Sequence, residues 1–109
     1  MAPEPLLSEL EHLVLLAVLR LGETAYAVTI RDEISSVTGL QPLRGSIYVT
    51  LDRLEKKDYL ASRMGDPTPE RGGKARRYFK LRPAALRALR GSRAAFQKMW
   101  EGVELAGKT

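Results

Sequence analysis

The sequence predicts a mostly helical α+β fold, in which three helices are followed by a β-hairpin and one last helix. Two observations predict it. Apolar residues recur with helical spacing up to about residue 58 and again after Pro83, and two aromatic-rich runs between them flank a loop rich in Pro and Gly. The length of 109 residues suffices for one hydrophobic core but not for two. A multi-domain enzyme is therefore excluded.

The first predicted helix begins after Ser8, because Ser8 and Glu11 have the spacing of a capping box. Gly22 is placed to end this helix. Its apolar stripe consists of Leu10, Leu13, Val14, Ala17, Val18 and Leu21. Three further leucines lie off the stripe, namely Leu15, Leu16 and Leu19. A helix that is apolar around most of its circumference needs more cover than so small a chain supplies, and we expect a second chain to provide it.

The next two helices are predicted over residues 25–37 and 45–58. Thr24 is the expected cap of the second helix, and Gly39 lies beyond its end. Residues 41–43 form an extended link, because the residue before Pro42 is kept out of the helical region. One face of the second helix is expected to carry Tyr26, Ile30 and Ile34. The third helix is expected to bury Ile47, Leu51 and Leu54 and to expose Ser46, Thr50, Arg53 and Lys57.

Two strands are predicted over residues 59–64 and 76–81, and the irregular loop between them gives the hairpin a long basic tip. Pro83 suits the first position of the last helix. A seven-residue spacing along this helix relates Leu89, Phe96 and Val103, with Ser92 and Met99 at the intervening positions. This seam could meet a second copy of itself. We therefore expect residues 1–82 to form one domain and residues 83–109 a dimerisation helix.

Positive charge is concentrated in the second part of the chain. Residues 1–60 carry six Lys/Arg and nine Asp/Glu, whereas residues 61–109 carry twelve and four. Between Arg71 and Trp100 there are ten basic residues and no acidic one. Such a segment repels itself unless it faces a polyanion. Nucleic acid or an anionic membrane surface is therefore the expected class of partner.

Several classes of function are excluded or disfavoured. The chain has no cysteine, which removes disulfides, thiolate metal sites and cysteine nucleophiles. His12, the single histidine, is interpreted as a packing or surface residue, and without hydrolase or phosphate-loop motifs we expect no enzyme, metal or cofactor. The longest apolar run has seven residues, against the roughly 20 that cross a bilayer. With no basic start of a signal peptide, a cytoplasmic protein without a membrane segment is expected.

The predicted order of elements is two helices, an extended link, a third helix and a hairpin. This is the order of a winged helix-turn-helix, whose third helix can enter the major groove of DNA. The residues carry a resemblance as well. Four stretches resemble the PadR family of bacterial transcriptional regulators: Gly45-Ser46-Ile47-Tyr48, residues 51–60, Ser62-Arg63, and Arg76-Arg77-Tyr78-Phe79-Lys80-Leu81. The resemblance covers about residues 8–90. A single helix after the hairpin is similar to the short subgroup of that family, which lacks a longer C-terminal dimerisation domain.

Two departures from the family pattern stand out. Val49 occupies a position where the family often has proline, and Ala25 replaces the glycine of a Gly-Tyr pair. The operator sequence therefore cannot be taken from relatives. The candidate DNA-binding residues are Ser46, Tyr48, Val49, Thr50, Arg53, Lys57, Arg71, Lys74, Arg76 and Arg77.

Within this set the expected roles differ. Helix residues such as Arg53 are expected to reach base edges, whereas the hairpin cations are expected on phosphates or in the minor groove. The resemblance implies that the Tyr48 hydroxyl binds a phosphate, and a tyrosine packed against the second helix is the alternative. For Arg53 the alternative is an ion pair along its own helix. The three arginines of the last helix are interpreted as a solvated face; they are Arg87, Arg90 and Arg93.

The leading interpretation is a homodimeric, sequence-specific regulator of transcription that binds double-stranded DNA, and more specifically a repressor. One alternative is a winged-helix module whose basic hairpin binds an acidic protein. The other is an architectural DNA-binding protein without a regulatory role. The resemblance also implies a site for a flat, aromatic, often cationic effector between the last helices of a dimer. Its candidate residues are Phe96, Met99 and Trp100, which would otherwise only pack the dimer.

Overall fold

The computed structural model describes residues 6–66 and 75–103, and its element order confirms the predicted mostly helical α+β fold. Three helices come first, with a short 3₁₀ turn over Gly22–Thr24 between the first and the second. The helices are α1 (Glu9–Leu21), α2 (Ala27–Thr38) and α3 (Arg44–Lys56). An antiparallel pair of strands and a last helix follow: β1 (Leu60–Met64), β2 (Arg77–Leu81) and α4 (Pro83–Trp100).

Helix α1 lies at the centre of the core and packs against α2, α3, β2 and α4. It begins as predicted, because Ser8 Oγ accepts the Glu11 N–H at 3.1 Å while Glu11 Oε1 accepts the Ser8 N–H at 2.8 Å. The expectation that Leu15 lies off the buried stripe is wrong: with neighbours on several sides, α1 buries Leu15 completely. Only Leu16 and Leu19 of the three extra leucines are exposed.

No single helix within the described residues is long and apolar enough to cross a membrane. Helices α1 and α2 meet that test of length and composition only when they are taken together, across a bend of 120°.

Helix α2 begins two residues later than predicted, and Thr24 is not its cap. The Tyr26 N–H at the N-cap position donates to Thr29 Oγ1 at 3.0 Å, whereas the Thr24 hydroxyl donates back to the Leu21 carbonyl at 2.8 Å. The cause is Ala25, which is fully buried in extended conformation and accepts the Phe79 N–H at 2.9 Å. This contact with β2 delays the start of the helix. Gly39 ends α2 in the left-handed conformation, as its position predicts.

Helix α3 has the predicted buried stripe. Ile47, Leu51 and Leu54 are at most 1% exposed. The expectation that Thr50 belongs to the exposed face is wrong, because Thr50 is only 4% exposed. Helix α3 packs against both α1 and α2, which widens the buried face beyond one narrow stripe.

The hairpin pairs Leu60 with Leu81, and both strands lie within one residue of their predicted bounds. Alternate residues face opposite sides. Phe79 points into the core, whereas Tyr78 lies on the other face beside its cross-strand partner Arg63. We call the hairpin the wing; residues 67–74, which include its predicted tip, lie outside the described residues.

Helix α4 begins at Pro83 as predicted, but its seam is only partly free. Its first half is anchored inside the chain, where it buries Ala85, Ala88, Leu89 and Ser92. Two predicted seam residues, Leu89 and Ser92, are therefore already covered, and His12 Nδ1 lies 3.3 Å from Ser92 Oγ. The helix ends at Trp100, so Val103 lies beyond it.

Candidate nucleic-acid interface

The turn between α2 and α3 fixes how α3 is presented. Arg31 Nε donates to the Pro42 carbonyl at 2.7 Å, which ties the link to α2. The Leu43 carbonyl then accepts the Ile47 N–H at 3.1 Å, and α3 begins. Because the buried stripe of α3 is held by α1 and α2, the opposite face of α3 points outward along its whole length.

The outward face of α3 combines apolar and cationic side chains. Tyr48 and Val49 are 50% and 56% exposed, and Arg53 is exposed one turn further on. Ser46 and Arg53 line one shallow groove with Val49, beside the N-terminus of α1. Such a face can donate hydrogen bonds to base edges and contact thymine methyl groups.

The alternative for Arg53, an ion pair along its own helix, is not found among the described residues. Its neighbour Asp52 is paired elsewhere, with Arg77. Thr50, by contrast, is only 4% exposed, although it lines the same groove.

Lys57 is engaged by α1. Its Nζ lies 2.7 Å from Glu11 Oε2, and the Glu11 side chain is only 3% exposed. Burial raises the pKa of Glu11, but the hydrogen bonds from Lys57 and Ser8 outweigh it, so that this pKa lies below its ordinary value. The pair ties the end of α3 to the start of α1. A contact between Lys57 and DNA would require Lys57 to leave this partner.

The two candidate cations of the wing that the structure describes, Arg76 and Arg77, are in different environments. Arg77 is bound to carboxylates of α3: its Nη1 lies 3.2 Å from Asp52 Oδ1, and its Nη2 donates to Glu55 Oε1. Its Nε also donates to Ser62 Oγ at 3.2 Å. Arg76 instead stacks over the Tyr26 ring, with its Cζ 4.3 Å from the ring centroid. Arg71 and Lys74 lie outside the described residues.

Sequence reasoning missed the carboxylate partners of Arg77. Asp52 and Glu55 lie three residues apart on α3, a spacing that puts two side chains on one face and is a signal for a shared cation. It also missed two exposed cations next to the predicted set, Arg44 at the first position of α3 and Arg63 in β1. Arg44 lay just outside the predicted third helix, because α3 begins one residue earlier than predicted.

The candidate effector residues lie together on the part of α4 that follows Ser92, which we call its free half. Phe96 and Trp100 are each 54% exposed and Met99 is 78% exposed. A cleft of about 780 Å³ lies between α1, the wing and α4, and Leu19, Tyr78 and Leu86 are among the residues that line it. None of the three candidate effector residues lines this cleft. Within the described part of the chain, the cluster is an exposed apolar surface rather than an enclosed site.

Three helices around one core, an outward third helix and a cationic hairpin define a winged helix-turn-helix protein. Comparison with sequence families gives the narrower assignment. The model of the transcriptional regulator PadR-like family matches residues 15–90. The chain belongs to this family, which confirms the resemblance seen in the sequence. The family consists of transcriptional regulators rather than enzymes, which supports DNA as the partner.

Solved structures agree. A PadR family transcriptional regulator from Eggerthella lenta DSM 2243 is 28% identical, with a TM-score of 0.67, and the match covers 86% of this chain and 81% of that one. A PadR-like transcription factor from Bacteroides fragilis is 27% identical, with a TM-score of 0.68 and 84% of each chain covered.

A transcriptional regulator from Clostridium thermocellum has a TM-score of 0.72 at 19% identity, over 84% of this chain and 85% of that one. At that identity the match supports the fold alone. A search of curated proteins found no significant match.

Proposed function

We propose that the protein is a homodimeric, sequence-specific repressor that binds DNA with α3 in the major groove and the wing on the backbone or in the minor groove. The observation that carries the proposal is the outward face of α3. There Arg53 is exposed and free of ion pairs among the described residues, beside Val49 and Tyr48. Arginine is the most common partner of guanine O6 and N7.

The ion pairs of Arg77 support the same placement of α3. Asp52 and Glu55 are carboxylates on the helix that is to approach a polyanion, and unpaired they would repel phosphates. Arg77 neutralises part of that charge from the wing. The wing thus assists α3 by removing repulsion, while its other cations remain the candidates for phosphate contacts: Arg71, Lys74 and Arg76.

Dimerisation follows from the free half of α4 in this proposal. Phe96, Met99 and Trp100 are large, apolar and exposed, as are Leu16 and Leu19 of α1. Exposed apolar groups on two elements favour a second copy of the chain as their cover. Each chain has one recognition helix, so two copies would read half-sites with centres about 34–36 Å apart, or a multiple of that distance.

The effector site is a proposal about the same surface. A flat aromatic cation would stack between Trp100 and its counterpart in the second copy, where an indole face provides cation–π attraction. Titration of planar cationic dyes, followed by the emission of Trp100, tests it. Saturable quenching that is lost in a Trp100→Ala variant that still dimerises supports the site. No quenching across a diverse panel leaves Trp100 a packing residue only.

The experiment that tests the function is selection of bound fragments from the source genome, followed by binding in the presence of excess random DNA. A specific operator survives this competition, because specific binding typically exceeds non-specific binding by about 10³–10⁷. Binding that random DNA abolishes identifies an architectural protein instead. A chain that binds no DNA but binds an acidic protein would support the interaction module, and both outcomes overturn the proposal.

A further inference from the structure

Two arginines and two tyrosines form one continuous stack at the base of the wing. The rings of Tyr26 and Tyr78 meet edge to face, with centroids 5.5 Å apart and an interplanar angle of 72°. Arg76 lies over Tyr26 at 4.3 Å, and Arg63 lies over Tyr78 at 4.8 Å. The four side chains follow one another in the order Arg63, Tyr78, Tyr26 and Arg76. They connect β1, β2 and the N-terminus of α2. We call it the aromatic stack.

The backbone around the aromatic stack leaves it little freedom. A Cβ at Gly65 would lie 2.6 Å from Tyr78 Cε2, so the Tyr78 ring occupies the space that only glycine leaves. The Gly65 N–H donates to the Arg76 carbonyl at 2.7 Å, which fixes the chain on the other side of the ring. Next to Tyr26, the Ala25 carbonyl accepts the Phe79 N–H at 2.9 Å. The backbone next to Tyr26 is thus hydrogen-bonded to β2.

Arg76 and Arg77 differ at the edge of the guanidinium, although both lie over a ring: the Arg77 Cζ is 5.0 Å from the centroid of Phe79. A guanidinium that stacks on a ring uses its flat face and keeps its N–H groups at the edge free. Arg77 uses its edge on Asp52, Glu55 and Ser62. No hydrogen bond or ion pair within residues 6–66 and 75–103 uses the edge of Arg76, which remains available for an anion.

The position of Tyr26 connects the stack to the DNA-binding face. Tyr26, Tyr48 and Ala75 border one depression of about 230 Å³, which lies between α2, α3 and the wing. Arg77 lines the same depression. The stack therefore lies beside the surface that α3 presents.

We propose that Tyr26 is a positioning residue for Arg76: its ring holds the Arg76 guanidinium with free N–H groups directed to a phosphate of the DNA backbone. The proposal rests on the proposed DNA-binding function. A free arginine loses side-chain entropy when it binds, whereas one already held on a ring has lost part of it beforehand. Tyr78 and Arg63 support Tyr26 from the other side of the stack.

A double-mutant cycle tests this coupling. The probe is a 30-base-pair duplex of random sequence, since phosphate contacts do not depend on sequence, and affinity is measured by fluorescence anisotropy over a range of salt. Arg76→Gln should flatten the slope of log K against log [salt] by about 0.9, the loss of one phosphate contact. Tyr26→Leu should weaken binding roughly twofold to tenfold, the range that holding one side chain contributes.

The decisive result is the double variant. If Tyr26 acts through Arg76, Tyr26→Leu adds nothing in the Arg76→Gln background, and additive effects overturn the proposal. Tyr26→Phe keeps the ring and should bind as the unaltered protein does. Arg87→Gln removes an exposed arginine of α4 that has no ion pair among the described residues, and serves as the matched control for charge.

A second variant leaves Tyr26 in place, in case Tyr26→Leu does not fold. Arg76→Lys keeps the charge but loses the planar group that stacks, so it should bind more weakly than the unaltered protein. Equal binding would show that charge alone suffices and would overturn the proposal. If the unaltered protein binds no duplex at all, the proposed function itself fails. That outcome differs from a protein that binds DNA but shows no coupling.

Discussion

Helix α3 and the free half of α4 have similar amphipathic patterns but opposite surroundings. The apolar stripe of α3 is completely buried within its own chain, and both ends of the helix are tied down, by Pro42 at one end and by Lys57 at the other. The large apolar residues of α4 from Phe96 to Trp100 are more than half exposed within the described structure. The pattern of a sequence thus shows that a face is apolar, but it does not show which chain covers it.

The difference bears on how a small DNA-binding protein divides its apolar residues. The residues that fix the shape of the recognition surface are buried in the monomer, so the outward face of α3 is set before any partner binds. In the proposed dimer, the residues that would fix the distance between two recognition surfaces are left exposed on α4. Substitutions in the two helices should therefore have different consequences.

The largest effect is expected in the buried stripe of α3. Leu54→Ala removes a side chain of α3 that is fully buried in the core, and it should lower the free energy of unfolding by about 2–5 kcal/mol. Urea denaturation followed by circular dichroism measures this. Met99→Ala is the comparison on α4, and at protein concentrations too low for dimers it should change the stability by less than about 0.5 kcal/mol. Equal losses would show that α4 is as firmly packed in the monomer as α3.

The next effect concerns assembly. Trp100→Ala should weaken dimerisation by about 2 kcal/mol or more, because large aromatic residues dominate interfaces. Sedimentation equilibrium over a concentration series measures the dissociation constant. Arg93→Ala, at an exposed polar position of the same helix, should leave it unchanged. A protein that is monomeric at micromolar concentration and still binds its operator tightly would contradict the dimer.

A smaller effect separates the two faces of α3 itself. Arg53→Ala should leave the free energy of unfolding nearly unchanged, since Arg53 is exposed and has no ion pair in the described structure. It should weaken binding to the preferred operator by about 1–3 kcal/mol and relax the sequence preference at one position. Binding curves on the operator and on single-base variants measure this. A uniform loss on all sequences would assign Arg53 to a phosphate instead.

The smallest effect is the dependence of stability on pH at the anchored end of α3. Hydrogen bonds from Lys57 and Ser8 hold the pKa of Glu11 below its ordinary value, despite its burial. Since the folded state favours the carboxylate, this contribution is present above the ordinary pKa of a glutamate and is lost as the pH falls through the lower, folded value. Glu11→Gln should reduce the loss of stability on acidification, as measured by thermal melting between about pH 3 and pH 7. An unchanged pH profile would show that Lys57 contributes nothing there.

Much of this fold could be predicted because its elements carry local signals. The capping box at Ser8, the glycines that end α1 and α2, and Pro83 at the start of α4 each depend on neighbours in the sequence, and each was confirmed. The start of α2 was wrong for the opposite reason. It is set by a backbone contact between Ala25 and Phe79, and no local pattern carries that information.

The same distinction applies to the candidate site. Helical periodicity identified Ile47, Leu51 and Leu54, but it could not show that Thr50 is buried as well. Charge alone gave Arg76 and Arg77 the same role. Both arginines lie over aromatic rings, but only Arg77 is also paired with the carboxylates of α3, which lie far away in the sequence.

The hydrogen bond between Phe79 and Ala25 also bears on the order in which the chain folds. An isolated two-stranded hairpin is marginally stable in water, and contacts between distant parts of a chain form slowly. The turn between α1 and α2 supplies the Ala25 carbonyl, to which the Phe79 N–H of the wing donates. The wing therefore gains this hydrogen bond, and Phe79 becomes buried, only when that turn is in place. We therefore expect the helices to assemble first and the wing to form last, so that a newly made chain completes its DNA-binding surface in the final step of folding.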